Sequence, residues 1–76
     1  MNFMLCDLEK GKEGVVLDFS GNGILFHRLQ QFGVISGTKI SALGAAPLGS
    51  PLLFRVRGAT IALRAEDCRA IPVMVP

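Results

Sequence analysis

The spacing of large apolar residues lays out most of this chain. Over 15–20, Val15, Leu17 and Phe19 alternate with Val16, Asp18 and Ser20, a period of two that predicts a strand with three apolar groups on one face. The glycines at 21 and 23 break the pattern, and the period changes. Leu25, Leu29 and Phe32 recur at spacings of four and three, so they share one face of a short helix. Ser20 and Asn22 are its candidate N-caps, and Gly33 stands where a left-handed residue would stop it.

Beyond Gly37 the period of two returns. Ile40 and Ala42 oppose Lys39 and Ser41 in a second predicted strand. Leu52, Phe54 and Val56 alternate with Leu53, Arg55 and Arg57 in a third, the clearest alternation in the chain. Gly58 and Ala59 read as a short connection, after which Ile61 and Leu63 alternate with Thr60, Ala62 and Arg64 to complete a hairpin. The 65–69 stretch is a polar single turn, and 71–75 alternates again. Pro72 lacks an N–H, so it belongs at an edge or at a position that donates nothing to the ladder. The charged run 9–14, with Gly11 and Gly14, reads as an exposed turn anchored by Leu5 and Leu8.

One run is not required by this logic. At 45–51 the chain reads Ala-Ala-Pro-Leu-Gly-Ser-Pro, where Pro47 and Pro51 remove two donors and Gly49 between them permits positive φ. The run predicts a stiff loop that is either a corner of the fold or a docking edge. About five strands, one short α-helix and closely spaced turns in 76 residues point to a mainly β fold, a half-open or closed small barrel. Closure would leave no long exposed edges.

Composition narrows the class further. Seventy-six residues allow one domain, 1–76, and half of them are apolar, which excludes a disordered chain. Eight Lys and Arg against six Asp and Glu give a net charge of +2, too even a balance to demand a polyanionic partner. Cys6 and Cys68 could form one disulfide at most, and reduced thiols in a cytoplasmic protein are the expectation. The N-terminus has no basic region ahead of its apolar run, and no stretch approaches the roughly 20 apolar residues that cross a bilayer. No direct membrane insertion is expected.

Chemistry-bearing residues are sparse. His27 is the only histidine, and no local spacing joins it to Cys68 and an aspartate as nucleophile, base and orienter, so the chain does not read as an enzyme. Cys6, Cys68 and His27 could bind iron or zinc only if folding brought them together, since no CxxC or HxxxH pair exists. No metal site and no cofactor are assigned, the alternative being a sensor or carrier that binds Fe²⁺ or another transition metal, weakly, through Cys6, Cys68 or His27. Gly21 and Gly23 precede a helix, but no Gly-Lys-Ser or Gly-Lys-Thr follows, and a turn with a cap explains them. Arg55, Arg57 and Arg64 would share one outward face of the hairpin without aromatics to stack on bases. That face is either solvated, or meets an acidic protein partner, or, as the weakest of the three, binds nucleic acid.

Taken in order, Leu8 and Gly11, the run 28–38 (Arg-Leu-Gln-Gln-Phe-Gly-Val-Ile-Ser-Gly-Thr), Pro47-Leu48-Gly49-Ser50-Pro51, Val56-Arg57-Gly58, Ile61-Ala62-Leu63-Arg64 and Ile71-Pro72-Val73 resemble the FeoA family over nearly the whole chain. The same pattern is similar to the C-terminal SH3-like module of metal-dependent repressors of the diphtheria-toxin-repressor type. The chain departs from the family pattern at Ser50, where Asp is usual, and at Ser36, where Pro is common. The resemblance implies a small SH3-like β-barrel, free-standing in the cytoplasm, that serves bacterial ferrous iron uptake. Its implied partner is FeoB, a membrane iron transporter with a GTPase domain, which could recruit it to the inner membrane. Pro47, Leu48, Gly49 and Pro51, with the outward Leu53, Arg55 and Arg57, form the expected partner-binding surface. Leu48, which no backbone rule requires, is its centre.

Overall fold

The computed structural model describes residues 2–76. In chain order its strands are β1 (Asn2–Met4), β2 (Glu13–Val16), β3 (Lys39–Ala45), β4 (Leu52–Val56), β5 (Ala59–Leu63) and β6 (Pro72–Met74). Helix α1 spans Gly23–Gln30, α2 spans Ala65–Cys68, and a 3-10 turn at Leu5–Asp7 follows β1. The strands form one antiparallel sheet in the order β1-β6-β2-β3-β4-β5.

That order corrects the expected barrel of about five strands and one helix. The sheet has six strands and is not closed: β1 and β5 are its two edges and do not pair. The extra strand is the N-terminal segment, which adds outside β6 with Phe3 opposite Val73. The second helix is the 65–69 turn. It carries the chain from β5 to β6 and packs against the 3-10 turn that follows β1.

The core draws on every layer: Leu5, Val16, Leu29, Ile40, Phe54, Val56, Ile71 and Val73 are all 2% exposed or less. Each such side chain contributes about 1.5–3 kcal/mol relative to exposure. The predicted face of the first strand is inverted. Val16 and Gly14 point inward, Val15 and Leu17 are half-buried, and Phe19 joins the core from beyond the strand end. Because residues 15–17 are all apolar, a slip of one residue costs the pattern nothing. The charged run 9–14 is pinned rather than free. The Gly11 N–H donates to the Ala42 carbonyl, and the Ala42 N–H donates to the Lys12 carbonyl.

Gly33 ends α1 as expected, with φ of 81°. The Gly33 N–H donates to the Gln30 carbonyl and the Val34 N–H to the Leu29 carbonyl, the paired bonds of a Schellman motif. Asn22 is the N-cap residue, but its side chain donates to the Ala70 carbonyl at 3.4 Å instead of capping the helix. Phe32 lies past the helix end and is 56% exposed, so it does not share the buried face of Leu29. Pro72 opens β6, an interior strand, as its first residue, where its carbonyl accepts the Leu17 N–H at 2.9 Å and the ring leaves no N–H to return the bond.

Candidate partner-docking surface

Residues 46–51 connect β3 to β4, whose last rung on this side pairs Ala45 with Leu52. The Ala46 N–H donates to the Pro51 carbonyl at 3.0 Å and closes the base of the loop. Above it, the Gly49 N–H donates to the Ala46 carbonyl at 2.8 Å, a β-turn with Pro47 in the position that suits its fixed φ and Gly49 at φ of 87°. A third tie leaves the loop: the Ser50 Oγ accepts the Ala65 N–H at 3.2 Å, satisfying a donor of the first turn of α2. The backbone is thus held while Leu48 stands 97% exposed at the tip.

From this loop β4 runs away along the sheet with Phe54 and Val56 facing the core, as the alternation requires. Leu53 is half-buried and Arg55 is exposed on the outer face, Leu53 opposite Ala62 and Arg55 opposite Thr60 on β5. Across β3 a bulge sets Gly44 against Leu53, and Ser41 faces Arg55. Ser41 donates from Oγ to Glu13 at 3.5 Å on the next strand. Among the described residues, Arg55 has no ion-pair partner.

Arg57 and Arg64 do not join Arg55 on that face. The hairpin connection is Arg57-Gly58, one residue earlier than expected, with φ of 52° and 80°. Two left-handed residues make it a type I′ turn, whose twist matches the flanking strands. From there the Arg57 side chain reaches to Gly33, where a Cβ would lie 3.3 Å from its Cδ and Nε. Arg64 lies past β5 and pairs with Asp67 at 3.2 Å and Glu66 at 3.7 Å. Asp67 also meets Arg28 at 2.6 Å, joining α1 to α2. The three arginines therefore lie in three different places, and the shared outward face expected for them does not form.

Cys6 and Cys68 lie on the 3-10 turn and α2, which touch, and both thiols are free. Cys68 is fully buried, and burial first, then the neighbouring Cys6 and Asp67, pushes its thiol up to about 12. Cys6 is raised too, by desolvation and by the Asp7 carboxylate, which lies 3.8 Å from its sulfur. His27 is exposed on α1, edge-on to Phe26, and does not join them. Among the described residues, no three His, Cys, Asp or Glu side chains converge as a metal ion requires.

The sequence reading missed a groove of about 410 Å³ beside the N-terminal strand. Phe3, Leu8 and Val75 give it apolar walls, and Asp7, Glu9 and Glu13 stand around them. The signal was present as the acidic residues of 7–13, but their convergence depends on β1 pairing with β6, which alternation alone does not reveal.

A family model described as the FeoA domain matches residues 3–75. The chain belongs to the FeoA family. A relative from Porphyromonas gingivalis, the Fe(2+) transport protein A/Fe(2+) transporter FeoB fusion protein, is 30% identical over 69 residues, which are 91% of this chain and 8% of the relative. The chain thus spans a small part of the curated protein it matches. The solution structure of the FeoA protein from Chlorobium tepidum superposes with a TM-score of 0.88 at 26% identity, over 96% of this chain and 70% of that one. A manganese-dependent transcriptional repressor shares the FeoA-like fold with a TM-score of 0.85 at 17% identity, over 99% of this chain and 42% of the repressor. The FeoA resemblance and its link to repressor domains therefore stand.

Proposed function

We propose that this chain acts as a single FeoA domain, a non-catalytic cytoplasmic accessory of bacterial ferrous iron uptake that docks on a FeoB-type transporter and modulates it. The observation that carries this reading is the fusion relative, in which a segment similar to 91% of this chain shares a polypeptide with an Fe(2+) transporter FeoB. Covalent union of two proteins keeps together parts that work together. The contact surface we assign is the loop residues Pro47, Leu48, Gly49 and Pro51 with Leu53 and Arg55 behind them, while Arg57 at the far end of β4 is left to its packing on Gly33. A held backbone with an exposed apolar tip loses little entropy on binding, which favours Leu48 as the anchor.

Leu48→Glu should abolish co-purification with a FeoB-type transporter, while far-UV circular dichroism and unfolding temperature stay at wild-type values. Arg55→Glu should weaken the same binding by about tenfold if it meets an acidic patch. Wild-type binding by Leu48→Glu would move the surface elsewhere. No binding by the wild-type chain would overturn the docking function itself.

A further inference from the structure

The open edge at β5 has the opposite character from the edges that monomeric sheet proteins tolerate, which carry lysines, prolines or bulges. Its sequence, Ala-Thr-Ile-Ala-Leu, has no charge and no proline. β5 pairs with β4 alone, from Val56 opposite Ala59 to Leu52 opposite Leu63. A two-residue turn makes Val56 and Ala59 a hydrogen-bonded pair, so Phe54 with Ile61 and Leu52 with Leu63 are hydrogen-bonded too. Thr60 and Ala62 therefore direct their N–H and C=O groups away from β4. Among the described residues nothing takes those groups up, and both residues are exposed. Along this edge runs a groove of about 370 Å³ between residues 59–63 and the exposed ring of Phe32.

We propose that β5 pairs with β5 of a second copy of this chain, antiparallel about a two-fold axis at Ile61. In that register Thr60 faces Ala62 of the partner subunit, and each such pair exchanges both of its N–H···O bonds. Ile61 then meets Ile61 of the partner subunit across the closer, non-hydrogen-bonded rung, and Ala59 faces Leu63 of the partner subunit. Every facing pair is neutral, so the strand complements itself and offers nothing to a charged peptide. The flanking Arg64 falls opposite Gly58 of the partner subunit rather than another cation, and its charge is already met by Asp67. This is the same patch on both copies, as a closed two-fold interface demands.

So short an interface gives a weak dimer, forming at about 0.1–1 mM. Sedimentation equilibrium of the full chain up to about 1 mM should show its mass rising toward the dimer, with the Thr60 and Ala62 amides gaining exchange protection in step. Ala62→Pro removes an outward donor at an edge where proline is tolerated, and should leave a folded monomer. Ala62→Glu should weaken pairing by about tenfold, and adding Thr60→Lys should restore it, because the two substituted positions face each other across the axis. A monomer at every concentration with freely exchanging amides would overturn the proposal, and the wild-type amide readout holds even where a variant misfolds. A dimer indifferent to Ala62→Pro and Ala62→Glu would place the interface elsewhere. Protection of those amides only when a transporter preparation is added would make the edge a seat for a foreign strand and refute self-pairing.

Discussion

The connection before β4 and the one after it are both short, and both contain a glycine with φ above 80° or close to it, yet they treat their exposed side chains in opposite ways. In the first, two backbone hydrogen bonds and the Ser50 tie to α2 hold the chain so that Leu48 is left outside with nothing to pack on. In the second, Arg57 occupies a left-handed conformation that a non-glycine residue resists, and its side chain folds back over Gly33. One connection holds its backbone and leaves its side chain outside. The other strains its backbone and draws the side chain home. Leu48 and Arg57, nine positions apart at the two ends of β4, thus have opposite surroundings, and a surface assembled from strand alternation alone merges them.

The comparison can be broken first through α2, the anchor of the presenting loop. Cys68 keeps its proton in the folded state up to about 12, while an unfolded thiol ionises near 9.0, so the unfolded state sheds a proton first as pH rises. The contribution of the protonated thiol is fully present below pH 9.0 and is lost between that value and about 12. The loss amounts to up to about 4 kcal/mol. Denaturant titrations of wild type and Cys68→Ala across this window should show the steeper alkaline decline in the wild type.

The turn should respond more strongly to a local change than the loop does. Gly58→Ala puts a β-carbon at φ of 80° in open space, so only backbone strain is added, and thermal unfolding should report a loss of about 1–2 kcal/mol. Ser50→Ala should cost about 1 kcal/mol by removing the acceptor for the Ala65 N–H, and Ser50→Asp should retain it. Amide exchange at Ala65 would separate this loss from a general one. Arg57→Asn is the smallest effect and has the opposite sign. Asn-Gly is the preferred pair for this turn, so stability should rise by about 0.5 kcal/mol after subtracting the packing lost over Gly33.

Much of this architecture could be read from residue spacing, and the places where it could not have physical causes. The faces of β4 and β5 were legible because large apolar residues alternate there with Arg55, Thr60 and Ala62, and the helix stop at Gly33 was legible because left-handed geometry selects glycine. The facing of β2 was not, since Val15, Val16 and Leu17 are all apolar. Nor was the open sheet: three residues of β1 carry too little pattern to announce a strand, and whether two edges meet depends on twist and on the placement of α2. In the candidate docking surface, Leu48 stood out because no backbone rule asks for it. Arg57 was misplaced by the one-residue shift of the turn, and with it went the shared arginine face.

Gly14 has a consequence for how the chain reaches this arrangement. A β-carbon there would lie 3.3 Å from the Met74 carbonyl oxygen and 3.4 Å from the Val73 β-carbon, so β2 and β6 meet with no side chain between them. Their two rungs, Val15 with Met74 and Val16 with Val73, with the Leu17 N–H donated to the Pro72 carbonyl beside them, join the β1–β6 pair to the β2–β5 run. They also bring together residues from opposite ends of the polypeptide, whereas the β3–β4–β5 meander closes through short loops. Loop-closure entropy then orders the events: the meander can assemble early and locally, and the glycine seam zips last. A bulkier residue at 14 would act chiefly on how fast the finished molecule comes apart, leaving the speed of its assembly almost untouched.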